Sequence, residues 1–198
     1  VGKKFFSKNE FSELQKQISL NEKNERIYDD KRVRCHKTDG FIITPDEPYS
    51  PKGTPNLYKW KYADLLSVDF RIISSQGVLK LACGGDDGTI ISCRTLELSK
   101  EDDDKIKQIL ESKRQLCGFE SDHHYSWLND DNGTVIVELT YDPIAGMWRF
   151  HLERTDKNHP NHISVVFDTM EAISENITEN ELAQRIPCSY ANDTWERL

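Results

Sequence analysis

Two lysines stand two residues apart in Leu57-Tyr58-Lys59-Trp60-Lys61. On an extended chain alternate side chains share a face, so Lys59 and Lys61 project to the same side. Upstream, Asp39-Gly40 opens the short apolar run Phe41-Ile42-Ile43-Thr44, and Asp69 lies ten residues beyond Lys59. A second set of charges, Arg154, Asp156 and Lys157, occupies one turn-rich stretch. Ammonium and guanidinium groups bind phosphate oxygens, lysine as a point charge and arginine as a planar fork. A carboxylate beside them suits a divalent cation that a phosphate chain also ligates. These residue types predict two walls of a cleft that handles a nucleotide.

The elements that must carry these groups are legible in outline. Apolar residues at Phe11, Leu14 and Ile18 predict a helix over residues 8–20, and the charged stretch 21–34 reads as a loop. Phe41–Thr44 and Leu57–Lys61 read as strands separated by a proline-rich loop over residues 46–55. Beyond Val68 the texture changes to short strands over residues 68–74, 78–83, 89–98, 134–141 and 147–153. Ser99 caps a helix over residues 100–116, with acids in its first turn and bases in its last. Two further helices are expected over residues 164–176 and 179–186. About five short strands with an interposed helix suggest a small Greek-key barrel of OB type. The expected fold class is α+β, with the end of an α/β domain over residues 1–65, an OB-fold β-barrel with closing helices over residues 66–186, and a tail over residues 187–198. Residues 1–65 are too few to bury a core of their own.

Composition narrows the partners. The chain has 198 residues, 36% hydrophobic and 30% charged, with a net charge of −8. That balance argues against nonspecific coating of nucleic acid and leaves room for a local basic cleft. The acidic run Glu101–Asp104 and the pair Asp130-Asp131 read as solvated surface. No apolar run approaches the roughly 20 residues of a membrane span, and VGKKFFSKNE lacks the apolar stretch of a secretory signal. Five cysteines without a C-x-x-C pair fit free thiols in a reducing compartment. Sequons at Asn132, Asn176 and Asn192 are the kind of triplet that arises by chance.

Four strings in order resemble the GTP:mRNA guanylyltransferases, the eukaryotic mRNA capping enzymes of the covalent nucleotidyltransferase superfamily. They are Asp39-Gly40-Phe41-Ile42, Leu57-Tyr58-Lys59-Trp60-Lys61, Ser67-Val68-Asp69-Phe70 and Arg154-Thr155-Asp156-Lys157-Asn158-His159-Pro160-Asn161. The resemblance implies a nucleotidyltransferase domain followed by an OB domain that closes over the nucleotide. It implies that Asp39 holds Mg2+ or Mn2+ and that Ile42, after Gly40, stacks on the guanine. Lys59 and Lys61 would contact the α-phosphate, and Asp69 would act near the β-phosphate. Arg154, Asp156 and Lys157 would orient the triphosphate so that pyrophosphate leaves in line. The implied reaction forms a lysyl-GMP from GTP, then transfers GMP to the 5′-diphosphate end of a nascent mRNA. The setting would be the nucleus, with the RNA polymerase II C-terminal tail and an RNA triphosphatase as further partners and no membrane.

Two departures from the pattern stand out. Lys37-Thr38-Asp39-Gly40 has the form of the family's nucleophile motif, yet the same Asp39-Gly40 opens the strand motif. Lys59 follows it too closely, so the attacking lysine is expected upstream of Val1. Gly2-Lys3-Lys4-Phe5-Phe6 would then be the tail of an earlier motif, and this chain alone would be inactive. Leu152 stands where many family members carry an arginine.

Plainer readings compete. Lysines on an edge strand also guard against edge-to-edge pairing, and Arg154 with Asp156 could be a surface ion pair. Trp60, Trp127 and Trp148 are expected in cores, and His123, His124, His159 and His162 in loops. A binding module without chemistry, holding single-stranded RNA or a protein, would show a basic groove and exposed aromatics. A polynucleotide ligase relative would use ATP in place of GTP.

Overall fold

The computed structural model describes residues 5–31, 35–44, 57–75, 78–93, 98–118, 126–129 and 134–186. The expected loop over residues 46–55 and the tail over residues 187–198 lie outside the described residues. The chain divides into two compact units, Val1–Tyr62 with Asn176–Leu198, and Ala63–Glu175. It is a mixed α+β fold built on antiparallel sheets.

The first unit begins with a 3-10 turn at Lys8–Glu10 that runs into α1 (Phe11–Gln15). Strands β1 (Ile18–Leu20), β2 (Arg26–Asp29) and β3 (Cys35–Lys37) form one antiparallel sheet. Strands β4 (Gly40–Ile43) and β5 (Tyr58–Lys61) form another. The expected helix over residues 8–20 is therefore cut short, and the expected loop over residues 21–34 contains a strand. Asn21 explains both differences. Its Oδ1 accepts from the backbone N–H groups of Lys23 and Glu25, at 2.9 Å each, and Asn24 takes a left-handed φ of 59°. That turn folds β2 back on β1, in register from Ile18–Tyr28 to Leu20–Arg26. Phe11, Tyr28, Phe41 and Tyr62 are buried here, so the unit has a small aromatic core.

The second unit contains β6 (Ser67–Ser75), β7 (Val78–Gly84), β8 (Ile90–Ser92), α2 (Lys100–Cys117), β9 (Val135–Asp142), β10 (Met147–Glu153) and α3 (Ile163–Glu175). Its five strands run antiparallel in the order β10-β9-β6-β7-β8. The expected strand over residues 89–98 is shorter, and residues 94–97 lie outside the described set. An isolated parallel bridge pairs Leu98 with Trp148, so the chain leaving edge strand β8 reaches the other edge strand, β10.

Alternation divides the central strands. Val68, Phe70 and Ile72 of β6 pair with Leu139, Val137 and Val135 of β9, and all six are buried in the core. Trp127, Trp148, Ile106 and Leu110 pack in the same cluster. Each such side chain contributes about 2 kcal/mol on burial. Ser67, Asp69 and Arg71 face the other way, opposite Thr140, Glu138 and Ile136.

Helix α2 follows its expected start. Ser99 Oγ accepts from the Asp102 N–H at 3.1 Å, and Gly118 closes the other end with φ 68°. Asp102 corrects the reading of residues 101–104 as solvated surface. It is buried, accepts from Ser99 Oγ at 2.7 Å and pairs with Lys105. The last element, α4 (Glu179–Arg185), belongs to the first unit.

Candidate functional site

In the first unit the expected residues lie on one face of β4 and β5. The register pairs Gly40 with Lys61 and Ile42 with Lys59, so all four lie on one side of the ribbon. The other side holds Phe41 and Trp60, stacked with centroids 5.4 Å apart; Phe11 meets Phe41 edge-on at 5.0 Å. Trp60 Nε1 donates to the Ile177 carbonyl at 2.9 Å, and the Tyr62 hydroxyl donates to Glu179 at 3.0 Å. The aromatic side anchors the ribbon, which leaves Lys59, Lys61 and the half-exposed Ile42 facing solvent.

Gly40 makes this approach feasible. A Cβ at Gly40, where φ is +154°, would fall 2.0 Å from the Trp60 carbonyl oxygen, which is backbone and cannot swing away. The close pairing sets Asp39 beside Lys61, with Oδ2 2.8 Å from Nζ. The Lys61 hydrogen bond holds the Asp39 carboxyl below its ordinary range, with a further contribution from Lys59. Both partners are exposed, so the pair adds less than about 1 kcal/mol of stability. Its consequence is chemical, an ionised acid and two ammonium groups beside an apolar side chain.

Lys37 lies elsewhere in the same unit. It is on β3, 71% exposed, and its Nζ pairs with Glu25 at 2.6 Å.

In the second unit the charges form one network. Asp69, which its sequence position groups with the lysines, sits here on β6. Its carboxylate is nearly fully buried. Arg154 Nη1 donates to Asp69 Oδ1 at 3.0 Å and Oδ2 at 3.2 Å, and Lys157 Nζ donates to Oδ2. Two cations around one buried acid offset its desolvation. Asp156 grips the opposite edge of the guanidinium, accepting from Nε and Nη2 at 2.9 Å each. That fork holds the Asp156 carboxyl at about 2 and raises Arg154 further above its already high value.

The backbone fixes the network in place. The Arg154 N–H donates to the Ile136 carbonyl at 2.9 Å, extending the β9–β10 ladder, and the Lys157 N–H returns to Arg154 at 3.1 Å. Asn161 accepts from the Asp69 N–H at 2.7 Å and donates its own N–H to the Asp69 carbonyl at 2.8 Å. Lys157 is thereby kept against Asp69. Leu152, opposite Glu138 in the β9–β10 register, is 38% exposed.

Each unit thus collects a subset of the expected residues. Asp39, Gly40, Ile42, Lys59 and Lys61 share the first, and Asp69, Arg154, Asp156 and Lys157 the second. Sequence reasoning gave no role to Ser67, Asn161 or Glu138. Glu138 Oε2 accepts from Arg154 at 3.3 Å, and Oε1 accepts from Ser67 at 2.5 Å. Its signal was present: Glu138 is the one charged residue within Val135-Ile136-Val137-Glu138-Leu139-Thr140-Tyr141, where a carboxylate must have partners.

No cluster of three His, Cys, Asp or Glu side chains able to hold a metal occurs among the described residues. A Mg2+ ion commonly takes only one or two carboxylates and completes its shell with phosphates and water. The ionised, exposed Asp39 fits that donor set.

Residues 66–183 match the family model of the mRNA capping enzyme C-terminal domain, well over half of the chain. The chain therefore belongs to that family. It is 29% identical over 184 residues to the mRNA-capping enzyme subunit alpha of Candida glabrata, covering 77% of this chain and 40% of that relative. The corresponding Schizosaccharomyces pombe subunit is 24% identical over 169 residues, with 77% and 36% covered. The mRNA-capping enzyme of Mus musculus is 25% identical over 160 residues, with 76% and 21% covered. The chain thus spans 40% or less of these relatives.

Proposed function

We propose that this chain supplies two groups of phosphate-handling residues to an mRNA guanylyltransferase. The parent protein forms a lysyl-GMP from GTP and passes GMP to the 5′-diphosphate end of an RNA. The observation that carries this reading is the β4–β5 face, where Lys59 and Lys61 stand directly across from Ile42 and Gly40 with Asp39 ionised beside them. An apolar contact for a base and two cations for a phosphate on one small face match a nucleotide better than a bare anion. Asp39 would hold Mg2+ or Mn2+, which neutralises charge on the phosphates when bound.

The remaining chemistry follows from charge. Attack on the α-phosphorus builds negative charge on the leaving pyrophosphate, and the Arg154 and Lys157 cations offset it. Asp69 acts beside the same phosphates by holding both cations. The second unit closes as an OB-fold barrel, a reading supported by the bridge from Leu98, six residues after β8, to Trp148 on edge strand β10. Residues of the parent outside this chain supply the attacking lysine; Lys37 lies on β3, in a different sheet from β4 and β5. The reaction takes place in the nucleus, where nascent mRNA, an RNA triphosphatase and the polymerase tail are available.

Labelled GTP with magnesium or manganese, followed by denaturation, tests the proposal. The full-length protein is expected to retain a covalent band with GTP and not with ATP. Lys59→Ala and Lys61→Ala should each lower its yield by roughly a hundredfold, the range found for lost transition-state contacts. This chain alone should show no band. Labelling from ATP would replace the reading with a ligase, and labelling of this chain would place the nucleophile within it.

A further inference from the structure

The guanidinium of Arg154 has five N–H groups. Two go to Asp156, and Nη1 divides its pair between Asp69 at 3.0 Å and Glu138 at 3.3 Å. Asp156 lies two residues from Arg154 and moves with the same turn. Asp69 divides its oxygens between Arg154 and Lys157. Glu138 differs from both. It sits on a central strand, contacts Arg154 and not Lys157 among the described residues, and is fastened by the Ser67 hydroxyl through its other oxygen.

For an anion site, Glu138 is an electrostatic liability. With Asp69 and Asp156 it sets three carboxylates against two cations. A group that weakens attraction for phosphate while holding the fork exerts its benefit through geometry. We propose that Glu138, held by Ser67, is a positioning residue for Arg154. It fixes the Nη1 edge to the rigid sheet, so that the fifth N–H, on Nη2, keeps one direction in which to meet a phosphate oxygen. This inference rests on the guanylyltransferase reading for its chemistry and on the ion network alone for its geometry.

Substitution separates the two effects. Glu138→Gln keeps size and an acceptor for Nη1, and its amide can donate to the Ser67 oxygen, but it removes the charge. Glu138→Ala removes both. In the full-length protein, Glu138→Ala is expected to lower the maximal rate of GMP attachment by about tenfold or more, with the half-saturating GTP concentration unchanged or lower. Glu138→Gln should recover most of that rate and lower the half-saturating GTP concentration. Ser67→Ala should fall in the same direction as Glu138→Ala, and Ser67→Thr should recover. An unaltered rate in Glu138→Ala, or a loss in Glu138→Gln as deep as in Glu138→Ala, overturns the proposal. If Glu138→Ala does not fold, Ser67→Ala against Ser67→Thr decides on the same terms.

If the unsubstituted full-length protein forms no adduct, the functional reading fails and the geometry is judged separately. The Arg154 Nε–H signal of this 198-residue chain, followed by nuclear magnetic resonance, then decides. Slow exchange with solvent that quickens in Glu138→Ala and Ser67→Ala, and is restored in Glu138→Gln, supports positioning. Equal exchange in all of these chains overturns it.

Discussion

Asp156 shows how a single neighbour sets the chemistry of an exposed residue. Its carboxyl is held at about 2, against an ordinary 3.8, because both its oxygens accept from Arg154. The folded state thus favours the ionised form. The resulting stabilisation is complete above the unfolded value near 4 and is lost as pH falls towards 2. Asp39, Glu25, Glu111 and Glu181 are also held low, the first three by cations and Glu181 chiefly by the Thr178 N–H. The whole chain should therefore weaken in acid, and only a comparison isolates one group. We expect the urea midpoint of the unsubstituted chain to fall more steeply between pH 4 and pH 2 than that of Asp156→Asn. Parallel curves would show that the fork seen at Arg154 does not persist in solution. At this scale the sequence exposed the charged residues and hid their partners. Arg154, Asp156 and Lys157 declare themselves within four positions. That Asp69 belongs with them, and that Glu138 stands between, depends on strand register, which residue spacing does not encode.

Among the elements, the β4–β5 ribbon shows what a backbone requirement contributes. Pairing Gly40 with Lys61 brings the strands so close that a methyl group at Gly40 would overlap the Trp60 carbonyl. Gly40→Ala must either part the strands or bend β5, and it must also take a φ that alanine avoids. We expect a loss of about 2–4 kcal/mol in the unit that holds the ribbon, at the severe end for a single substitution. Hydrogen exchange should show it as faster exchange of the Trp60 and Lys61 amides, with β6 and β9 unchanged; equal protection throughout would rule the mechanism out.

This ribbon was legible in the sequence, since alternation of Lys59, Trp60 and Lys61 already separates the polar side from the aromatic one. The long strands β6, β7, β9 and β10 were also legible: β6 and β9 bury a continuous apolar face, and β7 and β10 add Leu81 and Trp148 to the same core. Strands β1 to β3 were not. Each has three or four residues, and only β2 among them carries a buried side chain, Tyr28, so no apolar rhythm can show; Phe11, Leu14 and Ile18 imitate a helix. The local marker was Asn21, whose side chain builds the turn that returns the chain as β2. Turn chemistry overrode periodicity there.

At the scale of the molecule, the chain order and the unit order disagree, and that has an energetic consequence. The first unit needs both ends of the chain, Val1–Tyr62 and Asn176–Leu198, whereas the second is the continuous stretch Ala63–Glu175. The later segment receives the Trp60 indole at the Ile177 carbonyl and the Tyr62 hydroxyl at Glu179, and the Gln15 amide donates to the Glu179 carbonyl. Two of these bonds come from the aromatic residues that back the β4–β5 ribbon. A chain ending at Glu175 would take these acceptors away from Trp60, Tyr62 and Gln15. The loss of these bonds costs about 1 kcal/mol each, a large share of the stability of a unit whose core is a few aromatic rings. The second unit keeps its entire core cluster, including Trp127 and Trp148. Truncation after Glu175 should therefore unfold one unit and spare the other. Amides of β4 and β5 should exchange at the rate of an open chain while those of β6, β7 and β9 stay protected. Fluorescence should report Trp127 and Trp148 still shielded and Trp60 exposed to solvent. Cooperative loss of protection across all of these strands would mean that the two units fold as one.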